Sequence, residues 1–228
     1  MLENLSTAHL ADGCLRVGVR PRCVALTPVT LGMRVAGPAR VVRHYGSVDI
    51  FLETMEAAAP GDILVVDNAG RRDESCVGDL VTIEVKHAGL AGIVIWGCHR
   101  DTAEIRSLGL PVFSLGAVAA GPVRLDARDD LPFGSGSIAG MAVADSDFVV
   151  ADDDGVLFLP GASLEAIAQA ARGIRETELQ QASRVQTGTS LRSQLRFSEF
   201  LEHRRDNPAF TFRDHLASIG GAIEVKVP

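Results

Sequence analysis

Aromatic residues are scarce, 5% of 228 residues, and small aliphatic side chains carry most of the 46% hydrophobic content, as in an α/β enzyme with a sizeable core. An excess of basic charge is missing: 22 Lys and Arg face 29 Asp and Glu, for a net charge of −7. This argues against a nucleic-acid backbone as the main ligand, because such binders carry a basic face. Net charge leaves a local basic patch open. Cysteine pairs at metal-ligand spacing are also missing. Cys14, Cys23, Cys76 and Cys98 form no C-x-x-C motif, which removes the basis for a disulfide framework or a metal cluster. The opening MLENLSTAHLADG has no basic segment followed by an apolar one, so secretion is not expected. No apolar run approaches the roughly 18 residues that span a bilayer. There is no internal repeat, no low-complexity linker and no Gly-rich nucleotide loop after an initial strand; Gly134-Ser135-Gly136 is too short to cradle a phosphate. The expectation is a soluble cytoplasmic protein with neither a membrane nor a nucleic acid as partner.

What the chain does contain is alternation of helix and strand. STAHLADGC reads as a short helix capped by Ser6 or Thr7. MRVAGPARVVRHYG reads as a strand interrupted at Gly37-Pro38 by a bend or an edge. From Asp49 to Ala58, the residues Ile50, Phe51, Met55 and Ala58 fall at helical spacing. Pro60-Gly61-Asp62 ends that helix before a buried strand, Ile63 to Val66, which stops at Asp67-Asn68. A helix from about Ser75 to His87, a strand from Gly92 to Trp96, a helix from Thr102 to Leu108 and a strand from Leu110 to Leu115 follow, with Gly89 stopping the first helix. Unbroken apolar strands alternating with helices predict an α/β fold, its parallel or mixed sheet covered by helices. Beyond Gly121, strands are expected at Val123 to Leu125, Ile138 to Val143, Phe148 to Val150 and Val156 to Leu159. ADDDGVLFLPG reads as a hairpin turning at Asp154-Gly155. Ser163 caps a helix running from Leu164 to Ser183, and short helices around a Pro-containing loop complete the chain. The expected organisation is a core over residues 1–160 and a helical extension over 161–228, packed on the same domain or on a neighbouring subunit.

Strands of an open α/β sheet present their carboxyl ends to a shared crevice, where ligands bind. Two such ends are Asp67-Asn68-Ala69-Gly70 and Gly97-Cys98-His99-Arg100-Asp101. If a helix begins near Ser75, the amides of Cys76, Val77, Gly78 and Asp79 fall in or near its first turn and suit an anion. Arg100 offers a planar, permanently charged fork to a carboxylate or a developing enolate oxygen. Asp101 offers a hard oxygen to Mg²⁺ or Mn²⁺, metals that keep most of their waters. Glu104 lies one helical turn on and is placed to hold those waters. A metal and an arginine converging on a 2-oxo acid stabilise an enolate. His99 is a candidate lining residue that would narrow substrate choice. Plainer readings compete: Asp101 also stands where it would cap the helix Thr102 to Leu108, and Asp79 suits a helix dipole. The remaining histidines, His9, His44, His87, His203 and His215, have no ligand spacing and read as core or surface residues. Asp152-Asp153-Asp154 reads as a turn rather than a cation site.

The spacing D-x20-R-D-x2-E, from Asp79 through Arg100 and Asp101 to Glu104, resembles the signature of the RraA-like family. That family includes the class II 4-hydroxy-4-methyl-2-oxoglutarate / 4-carboxy-4-hydroxy-2-oxoadipate aldolases. STAHLADGC, GMRVAGPARVV, APGDILVVDNAG, AGIVIWGCHRD, LGLPVFSLG and DFVVADDDGVLFLP agree with it in order and position, from Ser6 to Pro160. The tail FTFRDHLASIGGAIE is similar to tails in a subset of members.

The resemblance implies an αββα sandwich assembled as a homotrimer or a dimer of trimers, with the site between subunits. It implies a divalent-metal-dependent lyase that releases pyruvate from a small anionic 2-oxo acid, by retro-aldol cleavage or by oxaloacetate decarboxylation. Cys76, Val77, Gly78 and Asp79 would bind the pyruvyl carboxylate, Arg100 would contact the oxo group, and Asp101 would be the direct protein ligand of the metal. A C-terminal acid from a neighbouring subunit is also implied, with Glu199 and Glu202 as candidates. The chain departs from the family pattern at His99, at Arg71 and Arg72, and at ADSDFVV, where Ser146-Asp147 replace a Pro-Gly-Asp turn. Members named for regulating RNase activity imply the alternative of a non-catalytic, protein-binding regulator of an RNA-degrading enzyme. A quinone methyltransferase, a label sometimes attached to such proteins, would need the nucleotide loop missing here.

Overall fold

The computed structural model describes residue 2 and residues 4–219, so the end of the tail motif, residues 220–224, falls outside the described residues. The chain divides into two compact units: Pro21 to Leu164, and the chain up to Arg20 together with the chain from Glu165 onward. In order, the first elements are α1 (Thr7–Arg16), β1 (Arg22–Val24), β2 (Thr27–Pro28), β3 (Val35–Arg43), α2 (Asp49–Ala57), β4 (Ile63–Asp67), β5 (Ser75–Val77) and α3 (Asp79–His87). Next come β6 (Gly92–Trp96), β7 (Cys98–His99), α4 (Thr102–Leu108), β8 (Val112–Ser114), β9 (Ser135–Ile138) and β10 (Met141–Ala144). The last are β11 (Asp147–Asp152), β12 (Gly155–Pro160), α5 (Leu164–Gln186), α6 (Leu191–Gln194), α7 (Phe197–Asp206) and α8 (Phe212–Ser218).

The unit from Pro21 to Leu164 is built on one mixed eight-stranded sheet in the order β1-β12-β11-β3-β4-β6-β8-β2. β3, β4, β6 and β8 run parallel, and the other pairings are antiparallel. β4 and β6 are apolar apart from Asp67 at the end of β4, because both of their faces are buried. Leu64, Val66, Ile93 and Ile95 pack with Ile50 and Phe51 of α2, Val85 of α3 and Ile105 of α4. The alternating residues Ile63, Val65 and Val94 face a second core with Ile138, Val149 and Phe158. The fold class is thus mixed α/β, as expected.

Four local expectations are corrected. β3 is not interrupted at Gly37-Pro38. It changes partners there, residues 35–38 pairing with β11 and residues 39–43 with β4. Glycine is required because a Cβ at Gly37 would lie 2.3 Å from the Gly61 carbonyl oxygen. The run from Ile138 to Val143 is a hairpin, since Ala139 and Gly140 both take positive φ, 51° and 77°, which suits a two-residue loop. Val123 to Leu125 forms no strand: Val123 is exposed, and Arg124 turns its guanidinium to Asn68 and Glu74. The β11–β12 hairpin turns at Asp153-Asp154, one residue early, because Asp152 pairs with Gly155. The Ser146-Asp147 turn that stands in place of Pro-Gly-Asp is held by its own side chain, for the Asp147 carboxylate accepts from the Ala144 amide and is gripped by both ends of the Arg22 fork.

In the other unit, Ser6 caps α1 reciprocally: its Oγ accepts the His9 amide, and the His9 Nδ1 accepts the Ser6 amide. With Nδ1 an acceptor, the proton sits on Nε2, 3.1 Å from Glu178. α1 therefore groups with the chain from Glu165 onward rather than with a 1–160 block. Gly13 is the contact that allows this, since a Cβ there would come within 2.7 Å of the Ile167 carbonyl oxygen of α5. α5 buries Ile167, Ala168, Ala171 and Ile174 along one face. Phe197, Phe200, Phe210 and Phe212 cluster around buried His215. Among the described residues, no helix is long and apolar enough to cross a membrane.

Candidate active site

The crevice opens at the carboxyl ends of three parallel strands, β3, β4 and β6. The chain leaves β4 through Asn68 and returns as β5, which pairs in parallel with β7: Ser75 opposite Cys98 and Val77 opposite His99. This small ladder answers why an acid and an Arg-Asp pair stand twenty residues apart. The intervening chain is one helix and one strand, α3 and β6, and its return lays Gly78-Asp79 against Arg100-Asp101. The Arg100 amide donates to the Val77 carbonyl at 3.0 Å, locking the two together.

The expected helix start at Ser75 is therefore corrected to Asp79. Ser75, Cys76 and Val77 spend their backbone on a strand, and Gly78 is the N-cap residue of α3. Val77 is buried in that ladder and does not border the crevice. Cys76, Gly78, Asp79, Arg100 and Asp101 do border it, around a cavity of about 270 Å³. That is below the range of about 300 to 1,000 Å³ typical of pockets for drug-sized ligands and suits a small acid. Desolvation pushes the Cys76 thiol upward, so it stays protonated and is no nucleophile.

Asp101 is the residue whose geometry is most unusual. It takes the left-handed conformation, φ 57° and ψ 44°, at the N-cap of α4, yet its side chain makes no capping hydrogen bond. The capping reading is thereby set aside. Instead Oδ2 reaches across to accept the Asp79 amide at 3.3 Å and lies 3.5 Å from Arg100 Nε. Gly78 makes room for it, because a Cβ there would sit 2.4 Å from Asp101 Oδ2. Oδ1 has no hydrogen-bond partner among the described residues, and the side chain is 36% exposed. Asp79 itself accepts the Leu80 amide. Glu104 lies in the first turn of α4, exposed and away from the cavity wall. Glu199 and Glu202 lie exposed on α7, in the other unit.

His99 does not line the cavity, which corrects its expected role. Its ring is buried, with Nδ1 2.8 Å from the Ser114 hydroxyl and Nε2 3.0 Å from the Thr102 hydroxyl. It braces β8 against α4. His99→Ala is expected to cost about 3 kcal/mol of stability through lost hydrogen bonds and a cavity. The order of preference among 2-oxo acids, measured as kcat/KM, is expected to stay unchanged; a reordering would return His99 to the pocket wall.

His44, read from sequence as a core or surface residue, does border the cavity. It follows the last residue of β3, and its amide donates to the Asp67 carbonyl. Its Nδ1 lies 2.9 Å from Asn68 Oδ1, which also accepts Arg124 Nη2 at 2.8 Å. Arg124 Nε donates to Glu74 at 3.0 Å, completing a buried polar network behind the cavity. Burial lowers the His44 pKa from its usual 6.5, aided by the Arg124 charge and opposed by the Asn68 hydrogen bond and by Glu74 and Asp49. The available signal was strand polarity: counting β3 as continuous puts His44 at a third carboxyl end. A larger depression of about 670 Å³ lies by Arg22, Asp67 and Asp147, but its charges are spent on one another and on backbone amides.

With this geometry in view, the chain can be set beside known proteins. The Aldolase/RraA family model matches residues 7–158. Protein DlpA of Legionella pneumophila subsp. pneumophila is 29% identical over 198 residues, 83% of this chain, which spans only 32% of DlpA's length. A Burkholderia multivorans protein with the provisional name 4-hydroxy-4-methyl-2-oxoglutarate aldolase is 34% identical over 161 residues, covering 68% of this chain and 92% of its own. The crystal structure of Streptomyces coelicolor RraAS2, described as an unusual member of the RNase ES inhibitor RraA protein family, superposes with a TM-score of 0.69. It is 29% identical and covers 80% of this chain and 93% of its own. The chain belongs to the RraA-like family.

Proposed function

We propose that the protein is a divalent-metal-dependent carbon–carbon lyase acting on a small anionic 2-oxo acid. Its reaction is 4-hydroxy-4-methyl-2-oxoglutarate-type retro-aldol cleavage giving pyruvate, oxaloacetate decarboxylation, or both. The observation that carries the reading is Asp101. A non-glycine residue held left-handed, without the helix cap that would justify it, stores strain of the kind found at functional sites. Its carboxylate faces the cavity beside Arg100.

The donor set fits a hard, water-rich cation. Asp101 Oδ1 is free of protein hydrogen bonds among the described residues, and there no group of three His, Cys, Asp or Glu converges as a closed zinc site would need. Asp101 would hold Mg²⁺ or Mn²⁺ directly, with water in the other positions and Glu104, outside the cavity lining, reaching them only through further water, and the metal would polarise the 2-oxo group as a Lewis acid. Arg100, half exposed and not buried in a rigid pair, is free to swing onto the same oxygen and neutralise the charge that develops as the C–C bond breaks. The Asp79 and Leu80 amides at the start of α3 are taken by the Asp101 and Asp79 carboxylates, and a substrate carboxylate would exchange places with them at this positive helix end. Val48, Leu52, Leu80 and Ile83 are exposed on α2, α3 and the chain entering α2. A homotrimer, or a dimer of trimers, covers this apolar rim in our reading.

A lactate-dehydrogenase-coupled assay tests the proposal. With Mg²⁺, 4-hydroxy-4-methyl-2-oxoglutarate or oxaloacetate should yield pyruvate, EDTA should stop it, and Mg²⁺ or Mn²⁺ in excess should restore it. Pyruvate release untouched by EDTA would remove the metal. No release from either acid, together with binding to an RNA-degrading enzyme, would favour the regulator named for RraAS2's family.

A further inference from the structure

We propose that His44 is the catalytic base that takes the hydroxyl proton of a 4-hydroxy-2-oxo acid and returns it to the enolate carbon, a role that rests on the lyase reading above. The argument begins with the buried network. Arg124 can only donate, so the atom it meets at 2.8 Å is the Asn68 carbonyl oxygen, and the Asn68 amide nitrogen correspondingly lies 3.4 Å from Glu74. That oxygen accepts from His44 as well, so the imidazole proton sits on Nδ1. The neutral ring then carries its lone pair on Nε2.

Nε2 makes no hydrogen bond among the described residues, although the residue is only 7% exposed. It is nevertheless not sealed, because the ring borders the same cavity as Arg100 and Asp101. Phe51 stacks on the ring at 5.2 Å and 2°, fixing its plane. His99 supplies the contrast within the same unit: its two ring nitrogens are both engaged, one on Ser114 and one on Thr102. His44 is held by one nitrogen and offers the other.

The step balances without an oxidant or reductant. Nε2 takes the proton of the 4-hydroxyl, and the freed O–H electrons form the new carbonyl. The C3–C4 bond breaks, its electron pair becomes the C2–C3 enolate whose oxygen faces Arg100, and the Nε2 proton then moves to C3 to complete the pyruvate methyl group. Decarboxylation of oxaloacetate differs, since carbon dioxide departs without any hydroxyl proton having to be removed. The two reactions therefore weigh His44 differently.

His44→Gln keeps an amide N–H able to reach Asn68 but offers no base. It is expected to lower kcat for retro-aldol cleavage about 10²- to 10³-fold, and the ratio of cleavage to decarboxylation at least about 30-fold. In the unaltered protein kcat/KM for cleavage should fall as pH drops through a value below 6.5, where His44, facing Arg124, Glu74 and Asp49, takes up its proton. The variant should lose that acid limb. An unchanged ratio with measurable cleavage overturns the His44 role and leaves the lyase reading standing. No pyruvate from either acid in the unaltered protein overturns the lyase reading and the role with it. A second readout needs neither turnover nor metal. Long-range proton–nitrogen spectra of the unaltered, metal-free protein at pH 7 should show His44 protonated on Nδ1, with Nε2 moving when oxalate is added. A proton on Nε2, or oxalate binding that leaves Nε2 unmoved, also overturns the role.

Discussion

Asp101→Asn is expected to lower metal-dependent pyruvate release at least about 10³-fold while the melting temperature stays within a few degrees. Loss of a directly coordinating carboxylate removes several kcal/mol of charge stabilisation, and each 1.36 kcal/mol is a decade in rate. Asparagine is the informative replacement. It tolerates the left-handed conformation at 57° and 44° as aspartate does, and its amide oxygen can still accept the Asp79 N–H. The substitution isolates the charge. Asp101→Ala should be equally inactive but less stable by about 1 kcal/mol, since alanine pays the full left-handed cost. A variant Asp101→Asn with near-normal kcat and near-normal Mn²⁺ affinity would dissolve the metal assignment.

Gly78→Ala carries the second large effect. The Gly78 backbone, at φ −126° and ψ −164°, is open to alanine, so no conformational strain intervenes. The added methyl group would stand 2.4 Å from Asp101 Oδ2 and 3.3 Å from Arg100 Nε, and the carboxylate must move to admit it. A displacement near 1 Å at a reacting centre costs about 10²-fold in rate. We therefore expect kcat down about 10²-fold, weaker Mn²⁺ binding, and a stability loss below about 1 kcal/mol. Normal turnover would mean that the approach of Asp101 to Gly78 has no part in catalysis.

The parts of the fold that were legible are those whose signal is local. α4 starts and stops where Thr102 and Gly109 indicate, and β4 and β6 coincide with their apolar runs because each buries both faces. The Asp79, Arg100 and Asp101 set was legible through its spacing. What was hidden depends on partners distant in sequence. β5 is only three residues long and exists because β7 pairs with it, so Ser75 to Val77 looked like the start of the following helix. β3 looked broken at Gly37-Pro38 because a change of partner strand leaves the same residues as a bend. Treating it as broken hid its carboxyl end, and with it His44. The direction of a side chain at a strand end is equally invisible in one dimension. His99 precedes Arg100 yet turns inward to Ser114, while His44, with no motif around it, faces the cavity.

The central claim is that one carboxylate, Asp101, holds a cation next to Arg100. Crystals soaked with oxalate and Mn²⁺, with anomalous scattering recorded at the manganese edge, test it most directly. The account predicts a peak at bonding distance, about 2.2 Å, from Asp101 Oδ1, with oxalate spanning the ion and the Arg100 guanidinium. Oxalate bound with no manganese at Asp101, or Asp101 turned out of the cavity, would contradict it.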